Sequence, residues 1–226
     1  MNNLDSAKSI AQRLALIRQQ IPASTRLIAV TKQVSVEAMQ VAYEAGIRDF
    51  GESKLQEALV KQEKFKEFED ITWHLIGHLQ SNKASKALTH FQWIHSLHSL
   101  KLARRLNELA EPQSLKPKIC LQVKLLPDPN KYGWSVSQLM LDLPQLSQYK
   151  HLDICGLMTI PPQGLTAEET LSVFQRTREL ADKIQQQFGL QLPHLSMGMS
   201  ADYLLAVEAG ATTIRLGRVL FGERSM

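Results

Sequence analysis

Eight short apolar runs alternate with stretches of helical period along 226 residues, and this rhythm constrains the fold more than any single residue does. The runs are Arg26–Thr31 (RLIAVT), Ile47–Gly51 (IRDFG), Thr72–Gly77 (TWHLIG), Trp93–Leu97 (WIHSL), Lys118–Leu126 (KICLQVKLL), Leu152–Thr159 (LDICGLMT), His194–Met197 and Thr212–Gly217 (TTIRLG). Each has the length of a buried strand. Between them the sequence predicts helices from Ser35 to Gly46, over 53–66, near 81–90, over 99–110, over 135–147 (weakened by Pro144), from Thr166 to Phe188 and from Ser200 to Ala209. Ser35 and Thr166 are N-cap residues, while Gly46, Gly189 and Gly210 are stops. A further helix over 4–20, with Leu4, Ile10, Leu14 and Ile17 in period, precedes the first strand. Strict strand–helix alternation implies a parallel sheet. Eight repeats predict an α/β fold, a single closed (β/α)8 TIM-like barrel. An open dinucleotide-binding sheet would carry G-x-G-x-x-G after its first strand, and the segment after LIAVT has none. Residues 1–226 are expected to form one domain, with 1–21 as a helix packing on the barrel and no length for a second full domain.

Composition narrows the classes. Hydrophobic residues at 44% and charged residues at 21% fit a globular chain rather than a disordered or coiled-coil one. Aromatics are only 6%, too few to favour a base-stacking surface. The net charge of +4 is spread out, with no basic block for nucleic acid or lipid. No apolar stretch approaches the ~20 residues of a membrane helix. Asp5, Lys8 and Arg13 break any leader-like run. Cys120 and Cys155 sit in apolar stretches without C-x-x-C spacing and read as buried core thiols. A cytoplasmic protein that binds neither nucleic acid nor membrane is the expectation.

Barrel active sites lie at the C-terminal ends of the strands, so reactive residues there matter most. Lys32 directly follows LIAVT, and partial desolvation at that place favours an amine nucleophile that could form a Schiff base. Arg215 alternates with Ile214 and Leu216 in the last strand, so its side chain should point into the barrel. A guanidinium buried there needs an acidic side chain, an anion or a heteroaromatic ligand as partner. Ser196-Met197-Gly198-Met199-Ser200 leads into a helix, and Gly217-Arg218 follows the last strand. Loops in these two places form the common phosphate site of barrels, although Ser200 would also serve as a simple N-cap. Lysine, inward arginine and phosphate cup at one mouth point to pyridoxal 5′-phosphate (PLP) or to a sugar-phosphate lyase working through its lysine. His74 and His78 stand i, i+4 on a strand with no third ligand spaced to them, so no metal is expected. His95 and His98 read as polar barrel or loop residues, and Lys101, Arg104 and Arg105 as a solvated helix face.

The chain resembles the pyridoxal phosphate homeostasis protein family in LIAVTK (27–32), FGES (50–53) with Gln56-Glu57, WHLIGHLQSNK (73–83), IHSLHSLKLA (94–103), GLMTI (156–160), LSMGMSAD (195–202) and IRLGRVLFGER (214–224). The resemblance implies a fold-type III PLP barrel related to the N-terminal domain of alanine racemase. It implies Lys32 as the Schiff-base lysine and Arg215 opposite the pyridine nitrogen. Ser196, Ser200, Gly217 and Arg218 fall in its phosphate-binding segments, and Ser53, His78 and Met158 are expected around the ring. Ser53 stands where the family usually carries Asn. The segment LLPDPNKY (125–132) replaces a commoner acidic version.

An arginine opposite the ring nitrogen donates but cannot stabilise a protonated ring as a carboxylate would, which lowers the cofactor's electron-sink power. Racemases of this type use a second-face tyrosine and an added β domain. None of Tyr43, Tyr132, Tyr149 and Tyr203 fits that role by position, and no room is expected for the added domain. The expectation is therefore a PLP carrier or buffer without turnover, monomeric, with apo PLP-dependent enzymes as partners. An amino-acid racemase is the alternative.

Overall fold

The computed structural model describes residues 9–222. The expected parallel barrel is present. Strands β1 (Arg26–Val30), β2 (Asp49–Glu52), β3 (Thr72–Leu75), β4 (Trp93–Leu97), β5 (Lys118–Lys124), β7 (Asp153–Met158), β8 (His194–Ser196) and β9 (Thr213–Leu216) pair side by side in parallel. The β4–β5 and β1–β9 pairings close the ring. A two-residue strand, β6 (Trp134–Ser135), adds to the end of β5. It was not foreseen. β5 ends at Lys124 rather than Leu126, and the chain turns at Asp128, whose carboxylate accepts from Asn130 N at 2.9 Å and meets Lys131 at 3.1 Å.

The strands are buried on both faces, which is why they read as continuous apolar runs. Their outward residues (Leu27, Phe50, Leu75, Ile94, Leu121, Leu157, Ile214) join one core with helices α2 (Val36–Glu44), α3 (Leu55–Lys64), α4 (Ala84–His90), α5 (Leu100–Ala110), α6 (Val136–Leu146), α7 (Ala167–Phe188) and α8 (Tyr203–Glu208). In α5 the period puts Leu102, Ala103, Leu106 and Ala110 inward, and leaves Lys101, Arg104 and Arg105 exposed as expected. Ser35 and Thr166 cap their helices as the sequence predicts, Thr166 in a capping box with Glu169. Pro144 lies within α6 but only two residues from its end, so little of the ladder is lost.

Helix α1 (Ile10–Gln20) opens with a Ser9–Gln12 capping box. It buries Leu14 and Ile17 and packs against α2 and the terminal turn α9 (Arg218–Phe221). The expected start at Leu4, and Glu223-Arg224 at the other end, lie outside the described residues. Among the described residues no helix is long and apolar enough to cross a membrane, and no group of three His, Cys, Asp or Glu side chains gathers as a metal site. Both cysteines are free and buried.

Candidate functional site

Lys32 follows β1 in a tight turn at the C-terminal mouth of the barrel, half-buried. Among the described residues its amine has no hydrogen-bond or ion-pair partner. The turn itself is held firmly. Lys61, on α3, is buried and donates to Thr31 O, to Glu52 Oε1 (2.9 Å) and to Glu57 Oε1 (2.7 Å). Thr31 Oγ1 donates to Glu52 Oε1 at 2.6 Å, and Gln33 N donates to Glu57 Oε1. The residues on both sides of Lys32 are thus pinned, which supports Gln33 in a left-handed conformation at φ 59°. Burial raises the Glu52 carboxyl above its ordinary value, against the Thr31 and Lys61 hydrogen bonds, and among the described residues its Oε2 has no partner. Sequence reasoning missed this clamp. Its signals are a glutamate ending a buried strand (FGE) and a Glu57–Lys61 pair at helical i, i+4 spacing.

Arg215 points into the barrel, as alternation predicts, and pairs in register with Ile28 of β1. It is almost fully buried at 3% exposure, and no carboxylate among the described residues lies within ion-pair distance of it. Its Nη1 donates to Ser196 Oγ at 2.8 Å and its Nη2 to the Thr159 carbonyl at 3.1 Å. Two of its five N–H groups are therefore used, and the rest are available. Burial lowers its pKa to about 10, so it remains a cation at neutral pH.

Below Arg215 the lumen is polar. His95 Nδ1 lies 2.8 Å from Ser196 Oγ, His95 Nε2 lies 3.0 Å from His74 Nδ1, and His74 Nε2 lies 2.9 Å from Asp49 Oδ1. Burial holds His95 well below its ordinary value near 6.5, and His74 and Arg215 push the same way. Burial also lowers His74, against the hydrogen bond to Asp49. Arg26 stands 3.7 Å from Asp49 and covers the Trp93 ring at the lower end. Trp93, Cys120, Cys155 and Met158 form a small apolar cluster separate from the outer core. Burial raises the thiol of Cys120 strongly and that of Cys155 to about 11, so both are inert at neutral pH. Asp49, His74 and His95 were not singled out as site residues in the sequence. Their signal is a polar residue at an inward position of an otherwise apolar strand.

The expected phosphate side is revised in part. Ser200 does not cap a helix: α8 begins at Tyr203, and Asp202 instead accepts from Met199 N at 2.6 Å. The backbone reverses at Gly198, whose φ of +91° and whose missing Cβ, 2.6 Å from Ala206 Cβ if added, both require glycine. Ser200 Oγ accepts from Gly217 N and Val219 N, both at 3.3 Å. Those bonds draw the loop after β8 against the first turn of α9, next to exposed Arg218. Ser196, grouped with the phosphate residues from sequence, lies elsewhere. Its hydroxyl is fully buried between Arg215 and His95, because β8 alternation turns it into the lumen.

The ring-surrounding residues divide. Ser53 directly follows β2, packed so closely on Gly77 that a Cβ there would lie 2.2 Å from Ser53 O. Met158 is in the lumen cluster. His78 is at the mouth, stacked on Tyr132 with ring centroids 3.6 Å apart and with His98 at 4.7 Å. Tyr132, dismissed by position in the sequence, is brought there by the loop after β5, where Gln122 Nε2 donates to its carbonyl at 2.9 Å.

The alanine racemase N-terminal domain family matches residues 6–225. An alanine racemase of Clostridium difficile 630 superposes with a TM-score of 0.78 at 13% identity, over 96% of this chain and 57% of that one, which shows a shared barrel. Fold and family match together define a barrel of the alanine racemase N-terminal type. Much nearer is a pyridoxal phosphate homeostasis protein of Synechocystis sp., 52% identical over 204 residues, covering 90% of this chain and 94% of that protein. The structure of PipY from Synechococcus elongatus PCC7942 with PLP bound gives a TM-score of 0.91 at 52% identity, over 94% of this chain and all of that one. A second pyridoxal phosphate homeostasis protein, from Pseudomonas aeruginosa, is 40% identical over 225 residues, covering 96% of this chain and 95% of that protein. The chain belongs to the pyridoxal phosphate homeostasis protein family.

Proposed function

We propose that this protein binds PLP at the barrel mouth and serves PLP (vitamin B6) homeostasis as a carrier or buffer. The observation that carries the reading is a Lys32 amine that, among the described residues, has no partner and stands on a clamped turn, one strand away from a buried arginine with no carboxylate partner among those same residues. The residues fit the group. Lys32 supplies the amine that would hold the aldehyde carbon covalently. Arg215 supplies spare donors toward a ring nitrogen, and Ser200, Gly217 and Arg218 line the place for a phosphate. Bound PLP would supply a conjugated electron sink, which arginine weakens because a donor-only guanidinium cannot accept a hydrogen bond from a protonated ring nitrogen and so does not stabilise that form. The clamp of Glu52, Glu57 and Lys61 orients Lys32. Arg215 would keep its proton and donate a hydrogen bond toward the ring nitrogen.

Turnover would need an acid or base on each face of a substrate. Tyr132 and His78 are side chains of that kind at the mouth, and their rings are stacked on each other. This favours holding and release over catalysis. We further propose that residues 1–226 act as one monomeric, cytoplasmic binding unit, and that apo PLP-dependent enzymes receive the cofactor. Borohydride reduction of the PLP-loaded protein should fix a pyridoxyl group on Lys32, found by peptide mapping. An unmodified Lys32 in loaded protein would overturn the reading. Transfer of PLP to an apo-enzyme without loss of optical activity from added L-alanine supports carriage, while catalytic racemisation abolished in Lys32→Ala supports the racemase alternative.

A further inference from the structure

Asp49, His74 and His95 touch nothing at the mouth, yet with Ser196 they link its arginine to the opposite end of the barrel. Each bond in this chain has only one consistent donor. Arg215 has no acceptor, so it must donate to Ser196 Oγ. The Ser196 hydroxyl proton, fully buried, then has His95 Nδ1 as its acceptor. His95 Nδ1 is therefore bare and Nε2 carries the proton, donated to His74 Nδ1. His74 in turn donates from Nε2 to Asp49, whose carboxylate can only accept. Starting from Asp49 gives the same assignment, with both rings neutral and protonated on Nε2. Any other arrangement leaves two donors facing, or a buried hydroxyl without an acceptor, at a cost of about 1–3 kcal/mol.

The direction has an electrostatic consequence. Every acceptor atom faces Arg215 and every donor faces Asp49, so the aligned dipoles favour the cation at one end and the anion at the other. Such chains strengthen one another where the dielectric is low. Asp49, 23% exposed, is where the chain reaches solvent. A buried guanidinium that no carboxylate among the described residues contacts is thereby stabilised at a distance, and its remaining N–H groups stay unspent by those residues. We propose that Asp49, His74 and His95 are positioning residues, forming with Ser196 a one-way hydrogen-bond relay that orients Arg215 as a donor toward a ligand at the mouth. The relay itself follows from this geometry alone; its effect on a ligand rests on the PLP reading above.

Two measurements separate those parts. In protein labelled with 15N-histidine and free of PLP, long-range 1H–15N spectra at pH 7 should show His74 and His95 as neutral Nε2–H tautomers. An Nδ1–H tautomer or an imidazolium at either ring overturns the relay, whatever PLP does. In PLP-loaded protein, His95→Phe removes both nitrogens, whereas His95→Gln keeps one acceptor and one donor. The Phe variant should release PLP about tenfold faster and shift the bound absorbance maximum, and the Gln variant should stay within about twofold of the parent. Equal behaviour of the two variants would reduce His95 to packing and overturn its positioning role. A wild-type protein that leaves Lys32 unlabelled by borohydride sinks the PLP reading, with the tautomers still deciding the relay. If His95→Phe does not fold, the spectra of the unmodified protein remain decisive.

Discussion

The two interiors of this barrel obey different rules. Between strands and helices lies an apolar layer with Phe50, Phe174, Leu106 and Ile214 fully buried. Inside the ring lies a polar chain from Arg215 to Asp49, with a small cluster around Trp93 beside it. The outer layer is non-directional, and any apolar residue of suitable volume serves it. The lumen depends on direction, because each member must present a donor on one side and an acceptor on the other. The outer layer should thus govern stability and the lumen the chemistry of the mouth. The Glu52–Lys61 pair is the exception, a polar clamp set in the outer layer.

That comparison can be broken in three ways. Phe174→Ala leaves a cavity in the outer layer and should cost about 3–5 kcal/mol, read by urea denaturation, with an unchanged spectrum of bound PLP. A changed spectrum would mean that the layers are not separable. Lys61→Met strands the buried Glu52 and should cost about 3 kcal/mol. Because it also frees the Thr31–Gln33 turn, PLP retention should fall, unlike in Phe174→Ala.

The third test is pH. His74 and His95 are held below their ordinary value near 6.5, so the unfolded chain takes up their protons first. Their stabilisation is complete above about pH 6.5 and is lost as pH falls toward their folded values, by about 1.4 kcal/mol per pH unit for each ring. Glu52, raised by burial, has the opposite sign, favouring the folded state as it gains its proton. Denaturation midpoints between pH 7 and 5.5 should therefore fall with acid, and less steeply in His95→Gln. Identical slopes would show that His95 is not buried neutral.

The legibility of the sequence follows the same division. Barrel, strand order and caps could be read because apolar period and cap chemistry are local. Lys32 and Arg215 could be found because strand ends and alternation locate a mouth before any contact is known. The misplacement of Ser196 and the omission of Asp49, His74 and His95 have one cause. Their bonds join residues 21, 25 and 101 positions apart, and no local pattern carries that pairing. Tyr132 was missed because the turn at Asp128 and the contact with Gln122, not its sequence position, carry it to His78.

By itself the sequence determined eight strand–helix units, an inward arginine and a lysine at the first strand's end, since periodicity and alternation are properties of neighbouring residues. Only the tertiary structure decided which hydrogen bonds that arginine spends, which way the histidines carry their protons, and what holds the lysine's turn. Those are decided by ring closure, which sets side chains from distant strands within hydrogen-bond reach and away from water.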